Sequence, residues 1–334
     1  TKQTNKQTTM KNKLLATLVA FGIAGSASAI EINENLSING FIDGSYQHND
    51  NNGLTSAGAD PTATDQSLGL DEAEINFLIN VGGVSGVISL DSEGAGGTGE
   101  DEGIQVEQAH VTYTIDSGVS FTLGKYGSGL GFEGEDPTGL YTFSRAYSAN
   151  SGFNFKNIDN RNHVVEGLSI AYASDVFGIA ASFENGLDAD GEEDELNLEL
   201  SFSYTGIENV TIGGGYFFDN RSDSNNEVDA LNLHASTNMG KLMLAAEFTE
   251  LDAGGANPDL DGWMVLADYD FNDKLGAAFR VSSNEITAAT DYEKVTIAPN
   301  YAITESLGAI LEYSDVENAG ADGNEVALEF LYTF

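Results

Sequence analysis

Beyond residue 30 the chain alternates between apolar and polar positions. In its last segment Val326, Leu328, Phe330, Tyr332 and Phe334 share one face, while Ala327, Glu329, Leu331 and Thr333 share the other. That is a period of two, the spacing of a strand with unlike faces. Trp263, Val265, Ala267, Tyr269 and Phe271 stand in the same way opposite Gly262, Met264, Leu266, Asp268 and Asp270. Leu242, Leu244, Ala246 and Phe248 likewise stand opposite Met243, Ala245, Glu247 and Thr249. One face is apolar and the other mixed. The pattern predicts strands near 35–48, 69–82, 84–91, 104–115, 118–126, 161–173, 176–186, 195–205, 207–218, 227–238, 240–250, 261–271, 274–284, 292–302, 305–315 and 323–334, sixteen in all.

Very short connections (Gly82-Gly83, Asp116-Ser117-Gly118, Ser174-Asp175, Asn238-Met239-Gly240, Asn272-Asp273) alternate with longer polar ones such as 49–68, 92–103, 187–194, 219–226 and 251–260. Short turns then fall on one rim and long loops on the other, and an even strand number returns both termini to the short-turn rim. This predicts an all-β fold, a closed antiparallel transmembrane β-barrel of about 16 strands with short periplasmic turns and long extracellular loops. The count closes when residues 127–160 form one long loop after the fifth strand. A soluble β-sandwich also alternates. Sixteen strands would divide it into two or more domains, however, and no Pro-, Ser- or charge-rich boundary interrupts the spacing.

Aromatic residues gather at the strand ends. Tyr113, Tyr172, Tyr204, Phe271, Tyr301 and Phe334 lie toward the turn rim, and Tyr46, Phe183, Tyr216, Phe248, Phe279 and Tyr313 toward the loop rim, like two membrane-interface girdles. On the opposite parity Glu74, Asn76, Asn80, Gln108, His110, Thr112, Asn197, Glu199, Asn232 and His234 form a polar set. A barrel of sixteen strands cannot be filled by its own side chains, so that set should line an aqueous channel.

The beginning of the chain has another pattern. Residues 1–9 read as an upstream extension and 10–29 as an export signal: Met10 as start, Lys11 and Lys13 as a cationic region, Leu14 to Gly25 as an apolar run, and Ala27-Ser28-Ala29 as a cleavage signature. The apolar run is too short to span a bilayer as a helix. The barrel is then residues 30–334, exported to the bacterial outer membrane after cleavage at Ala29.

Charge changes the picture further. The chain has 13 Lys+Arg against 53 Asp+Glu and a net charge of −40, which excludes nucleic acid as a partner, because a phosphate backbone needs a cationic footprint. The absence of Cys removes disulfide and zinc-thiolate frameworks. Losing residues 1–29 takes four lysines and no acid, moving the charge to −44. Of the nine basic residues left, Lys125, Arg145, Lys156 and Arg161 fall within 125–161 beside Glu133, Glu135, Asp136 and Asp159, whereas the rest of the barrel holds five basic and 49 acidic residues. Lys125 has the parity of lipid-facing Leu123, so it sits at the membrane interface or Gly124 bulges the strand.

The export signal, the long loop after the fifth strand (KYGSGLGFEGEDPTGLYTFSRAY, Lys125 to Tyr147) and a terminal strand ending in Phe334 resemble those of the sixteen-stranded, diffusion-type outer-membrane porins of Gram-negative bacteria. The short acidic third-loop signature of the best-known general porins is absent. The resemblance implies that the third loop folds inward, with Lys125, Glu133, Glu135, Asp136, Arg145, Lys156, Asp159 and Arg161 at the pore constriction. Opposed basic and acidic side chains there would set up a transverse field that favours polar solutes; a salt-bridged anchor for the loop is the plainer role. Tyr332 and Phe334 would be the signal read by the outer-membrane assembly machinery.

The function so implied is passive diffusion of small hydrophilic solutes and ions, with a cation preference from the acidic mouth. Outer-membrane lipid and lipopolysaccharide, the latter through divalent cations, the assembly machinery and a homotrimer are the implied partners. A non-conducting structural or adhesive barrel is the alternative, and an outer-membrane hydrolase a more distant one. His48, His110, His163 and His234 are scattered, and no G-x-S-x-G motif places a serine near one of them. No catalytic site, metal site or cofactor is therefore expected. Tyr141, Phe143, Phe153 and Phe155 should pack the loop down. The acids Asp188, Asp190, Glu192, Glu193, Asp194 and Glu195 read as a solvated loop, and Asn257, Asp259, Asp261, Gly262 and Asp268 match EF-hand spacing only loosely.

Overall fold

The computed structural model describes residues 29–50, 64–93, 103–134, 136–147, 164–185, 196–220, 227–253, 259–286, 290–318 and 321–334. Its strands are β1 (Ile30–Asn33), β2 (Leu36–Asp50), β3 (Thr64–Val81), β4 (Val84–Glu93), β5 (Gln105–Thr114), β6 (Val119–Gly127), β7 (Val164–Ala173), β8 (Phe177–Glu184) and β9 (Asn197–Ile207). They continue with β10 (Val210–Phe218), β11 (Val228–Met239), β12 (Leu242–Ala253), β13 (Leu260–Asp270), β14 (Leu275–Ile286), β15 (Thr290–Ala302), β16 (Leu307–Asn318) and β17 (Ala321–Thr333). Among the described residues there is no α-helix, only one 3-10 turn at Pro137–Gly139.

Strands β2 to β17 pair antiparallel in chain order, and β17 closes the barrel on β2, from Asn324 opposite Asp50 to Thr333 opposite Phe41. Closure satisfies every ladder edge, which a bilayer without water demands. The sixteen expected strands are all present. The seventeenth, β1, is a correction: Ile30 pairs with Ile38 of β2 just beyond the point where Phe334 and Gly40 exchange backbone hydrogen bonds at 3.0 Å. It takes over the edge of β2 where β17 runs out. A four-residue strand is too short to register as an alternating pattern. The expected export signal lies outside the described residues up to position 28.

Turns on the terminal rim are tight. Val81 pairs directly with Val84 across Gly82 and Gly83, both with positive φ (59° and 83°). A two-residue hairpin of this type needs left-handed backbone at both positions, which glycine adopts without a Cβ clash. Outward rows are apolar and exposed, as with Trp263, Val265, Phe279, Val295, Ile297, Leu311 and Phe330. Tyr113, Tyr204, Phe271 and Tyr301 mark one rim and Tyr46, Phe183, Phe248 and Tyr313 the other, all exposed.

Candidate pore lumen

Inward rows carry the polar set the alternation predicted, including Glu74, Asn76, Gln108, Thr112, Asn197, Glu199 and Asn232, each buried from bulk solvent. Much of this burial comes from the segment after β6, whose described residues 128–134 and 136–147 run along the inner wall. Ser128 Oγ donates to Glu199 Oε2 at 2.7 Å and the Gly129 amide to Glu199 Oε1 at 2.8 Å. Further along, the Phe132 amide donates to Glu247 Oε1 at 2.6 Å, and the Ser144 amide to Glu312 Oε2 at 3.1 Å. The loop thus crosses from β9 past β12 to β16 inside the barrel.

Arg280 on β14 is the centre of this attachment, with its side chain wholly buried. Its guanidinium pairs with Glu133 and donates to Thr142 Oγ1 at 2.8 Å, Ser144 Oγ at 3.1 Å and the Arg145 carbonyl at 2.7 Å. A planar fork of fixed donors suits such convergent acceptors better than a lysine point charge would. Glu133 in turn accepts from the Ala146 amide at 2.8 Å. Apolar packing completes the seat. Leu130 packs with Phe217, Val228, Ala230 and Leu251, while Ala146 joins Met243, Ala245, Met264, Leu266, Ala278 and Ala298. Phe132 stacks on Tyr141 with centroids 6.3 Å apart. Burial, with Glu247 and Glu133 close by, pushes the Tyr147 phenol above its usual range, so it stays protonated and donates to Glu247 Oε2 at 3.3 Å.

Across the lumen the wall is acidic. Glu329 on β17, Asp43 on β2, Glu72 and Glu74 on β3, Asp91 on β4 and Glu107 on β5 point inward, and those five strands contain no Lys or Arg at all. Asp43 is opposite Glu72 and Glu74 opposite Asp91 in register. Asp136, at the start of the 3-10 turn, brings a carboxylate from the loop to this wall. Carboxylate oxygens of Glu72, Glu74 and Asp136 lie within 4.8 Å of one another.

Of the residues assigned from sequence to the constriction, the structure brings Glu133, Asp136 and Arg145 into the lumen, with Arg145 donating to the Gly134 carbonyl. Lys125 is a correction. Register is continuous through Gly124 with no bulge, which leaves Lys125 on the outward row of Phe121 and Leu123, where its Nζ donates to the Val106 carbonyl at 2.9 Å. Glu135, Lys156, Asp159 and Arg161 lie outside the described residues, as do His163, Phe153, Phe155 and the acids at 188–195. The loose EF-hand spacing ends in strand: Asp261, Gly262 and Asp268 belong to β13 and alternate across it, which no ion-binding loop can do. Tyr332 sits on the outward face with its ring 6.1 Å from that of Phe334.

Arg280 and the acidic wall were missed in the sequence. A lone arginine on the inward row of β14 was one available signal. Another was the apolar character of both faces of β12 and β13, which a water-lined wall would not tolerate without a cover.

A family model described as Gram-negative porin matches residues 15–321. No curated protein sequence matches the chain. The barrel is similar to the anion-selective porin from Comamonas acidovorans, with a TM-score of 0.66 at 13% identity over 90% of this chain and 99% of that one. It is also similar to the outer membrane channel DcaP of Acinetobacter baumannii, with a TM-score of 0.63 at 14% identity over 94% and 99%. The trimer form of in-vitro folded OmpT, an outer membrane protein of Vibrio cholerae, gives 0.59 at 15% identity over 90% and 99%. Identities this low carry the fold alone. The family match spans nearly the whole barrel, and with a closed sixteen-strand lumen beneath it the chain belongs to the Gram-negative porins, the outer-membrane channels for diffusion.

Proposed function

We propose that the lumen passes small hydrophilic solutes and ions by passive diffusion, without catalysis, and that it prefers cations. The observation that carries the preference is the wall of six inward carboxylates on β17 and β2–β5, with no Lys or Arg on those strands and Asp136 facing them from the loop. The Arg280 guanidinium on β14 is held under the loop in four local contacts, one of them with Glu133. A one-signed wall in a narrow lumen focuses its field on the permeating ion. The anion selectivity named for the Comamonas porin belongs to that protein; at 13% identity its side chains, which set selectivity, are not these.

The test is the reversal potential of the refolded protein in a planar bilayer under a KCl gradient. It should have the sign of K⁺ preference and move toward zero in Asp43→Asn, Glu74→Gln and Asp91→Asn. A folded barrel that never conducts would favour a plugged structural or adhesive role. The constriction reading for Glu133, Glu135, Asp136, Arg145, Lys156, Asp159 and Arg161 is part of the same proposal, as are cleavage after Ala29, recognition of Tyr332 and Phe334 by the assembly machinery, and contact with lipopolysaccharide. The trimer form of the Vibrio protein favours a homotrimer, which chemical crosslinking in membranes would reveal as three copies.

A further inference from the structure

We propose that Lys294 and Glu325 form a cancelling pair in the pore wall, in which Glu325 keeps Lys294 from acting as an anion site and so helps to set the ion preference of the channel. Among the described residues the barrel strands send two basic side chains into the lumen, Arg280 and Lys294. Lys125 lies on the outward row of β6. Lys241 and Lys274 stand on terminal-rim turns, where they donate to the Phe271 and Ile303 carbonyls at 2.8 and 3.5 Å. Arg280 is taken up by the loop. Lys294 alternates with Tyr292 and Thr296 on the buried row of β15, and its Nζ donates to Glu325 Oε2 at 2.6 Å.

The pair is placed so that only one of its charges meets the lumen. Lys294 is opposite Val316 of β16 and Glu325 is opposite Ser314, so the two side chains meet across β16, from one of its neighbours to the other. Two strand spacings amount to about 9.6 Å, which the four-carbon stem of a lysine and a glutamate bridge together. The Lys294 side chain is 4% exposed and that of Glu325 32%. The carboxylate therefore borders the channel water, and the ammonium lies beneath it. An ammonium left buried without its partner is strongly unfavourable, and a long flexible stem lets it move out to water. Loss of the Glu325 charge should thus deliver a full positive charge to the lumen, in its loop-rim half, four residues from the Thr290 end of β15. Arg280 has no such freedom while the loop holds it.

This role for Glu325 rests on the channel reading of the lumen, so the order of the variants is measured as well as the sign of the parent. In dilute KCl, Glu325→Gln should lower the K⁺ to Cl⁻ permeability ratio by about two- to fivefold, the effect of one unit charge roughly 4–10 Å from the path of an ion in water. Lys294→Met should raise the ratio by a similar factor, and Lys294→Met/Glu325→Gln should return it to that of the parent. A Lys294 that only ties β15 to β17 would leave the double variant equal to Glu325→Gln, and that result would overturn the pair. A second readout needs no current. Acetylation of the folded protein by a water-soluble N-hydroxysuccinimide ester, mapped by peptide mass spectrometry, should reach exposed Lys241 in every variant, but Lys294 only in Glu325→Gln. Lys294 labelled in the parent as fast as Lys241, or protected in both, would also overturn it. Where Glu325→Gln does not fold, Lys294→Met decides, since an unchanged ratio there sinks the proposal. A folded barrel that never conducts would remove the channel reading and leave the labelling to judge the pair.

Discussion

Arg280 draws Glu133, Thr142, Ser144 and the Arg145 carbonyl onto one guanidinium, and every one of these acceptors belongs to the loop. Removing one partner of a buried ion pair costs on the order of 3–5 kcal/mol, because the other charge stays behind unmatched. Arg280→Gln should therefore leave strand pairing intact but loosen the loop, seen as frequent current fluctuations and a higher mean conductance in single-channel records. Quiet, parent-like records would place the attachment in the apolar seat instead. Gly40 is a second position where one atom matters. A Cβ there would come 2.2 Å from the Glu74 carbonyl and 2.9 Å from the Phe334 ring, at the point where β17 hands over to β1. Backbone cannot yield that much, so Gly40→Val should shift the heat-modifiable gel band to the unfolded position at a lower temperature than the parent. An unchanged midpoint would mean that the rim relaxes locally.

At the scale of the element, the loop is a cover as well as an obstruction. Met243, Ala245, Met264 and Leu266 point inward and are buried by it, and they would otherwise face water. Deleting the ten residues Gly134 to Phe143 should enlarge conductance without unfolding the barrel, because loops add little to the ladders that hold the strands. It should also expose those side chains, read as a rise in binding of a hydrophobic dye to the folded protein. Conductance equal to that of the parent would mean that another part of the lumen is limiting.

For the whole molecule, the acidic excess is a field rather than a set of contacts. Potentials from exposed loops reach about 30 Å at 0.01 M salt and about 3 Å at 1 M, while carboxylates inside the lumen act at contact distance in all salt. Cation selectivity should therefore be strongest in dilute KCl and fall toward a non-zero plateau as salt rises. Neutralising the acids at 188–195 should lower the dilute-salt part, and neutralising Glu74 the plateau. Reversal potentials measured from 0.01 to 1 M KCl separate the two, and an anion-preferring sign in dilute salt would overturn the acidic-wall reading.

Alternation along single strands determined the all-β class, the sixteen barrel strands, the inward and outward rows and the rim of each turn, because the pleat repeats every two residues whatever the strand pairs with. The position of the long loop was legible for the same reason: the period lapses after Tyr126 and in the sequence resumes near Arg161, whereas the strand begins at Val164. Parity also placed Lys125 beside Leu123 on the outward row, against its use in a constriction. What only the tertiary structure decided is what meets across the lumen. Glu72 and Glu74 are separated from Asp136 by some sixty residues and by three intervening strands, and Arg280 comes to the loop from more than a hundred residues further along the chain. A closed sheet brings such residues together through its circumference and the path of one inserted segment, and neither leaves a local period to read. The strand β1 was hidden for a related reason: its place is set by where β17 stops on β2, not by its own four residues.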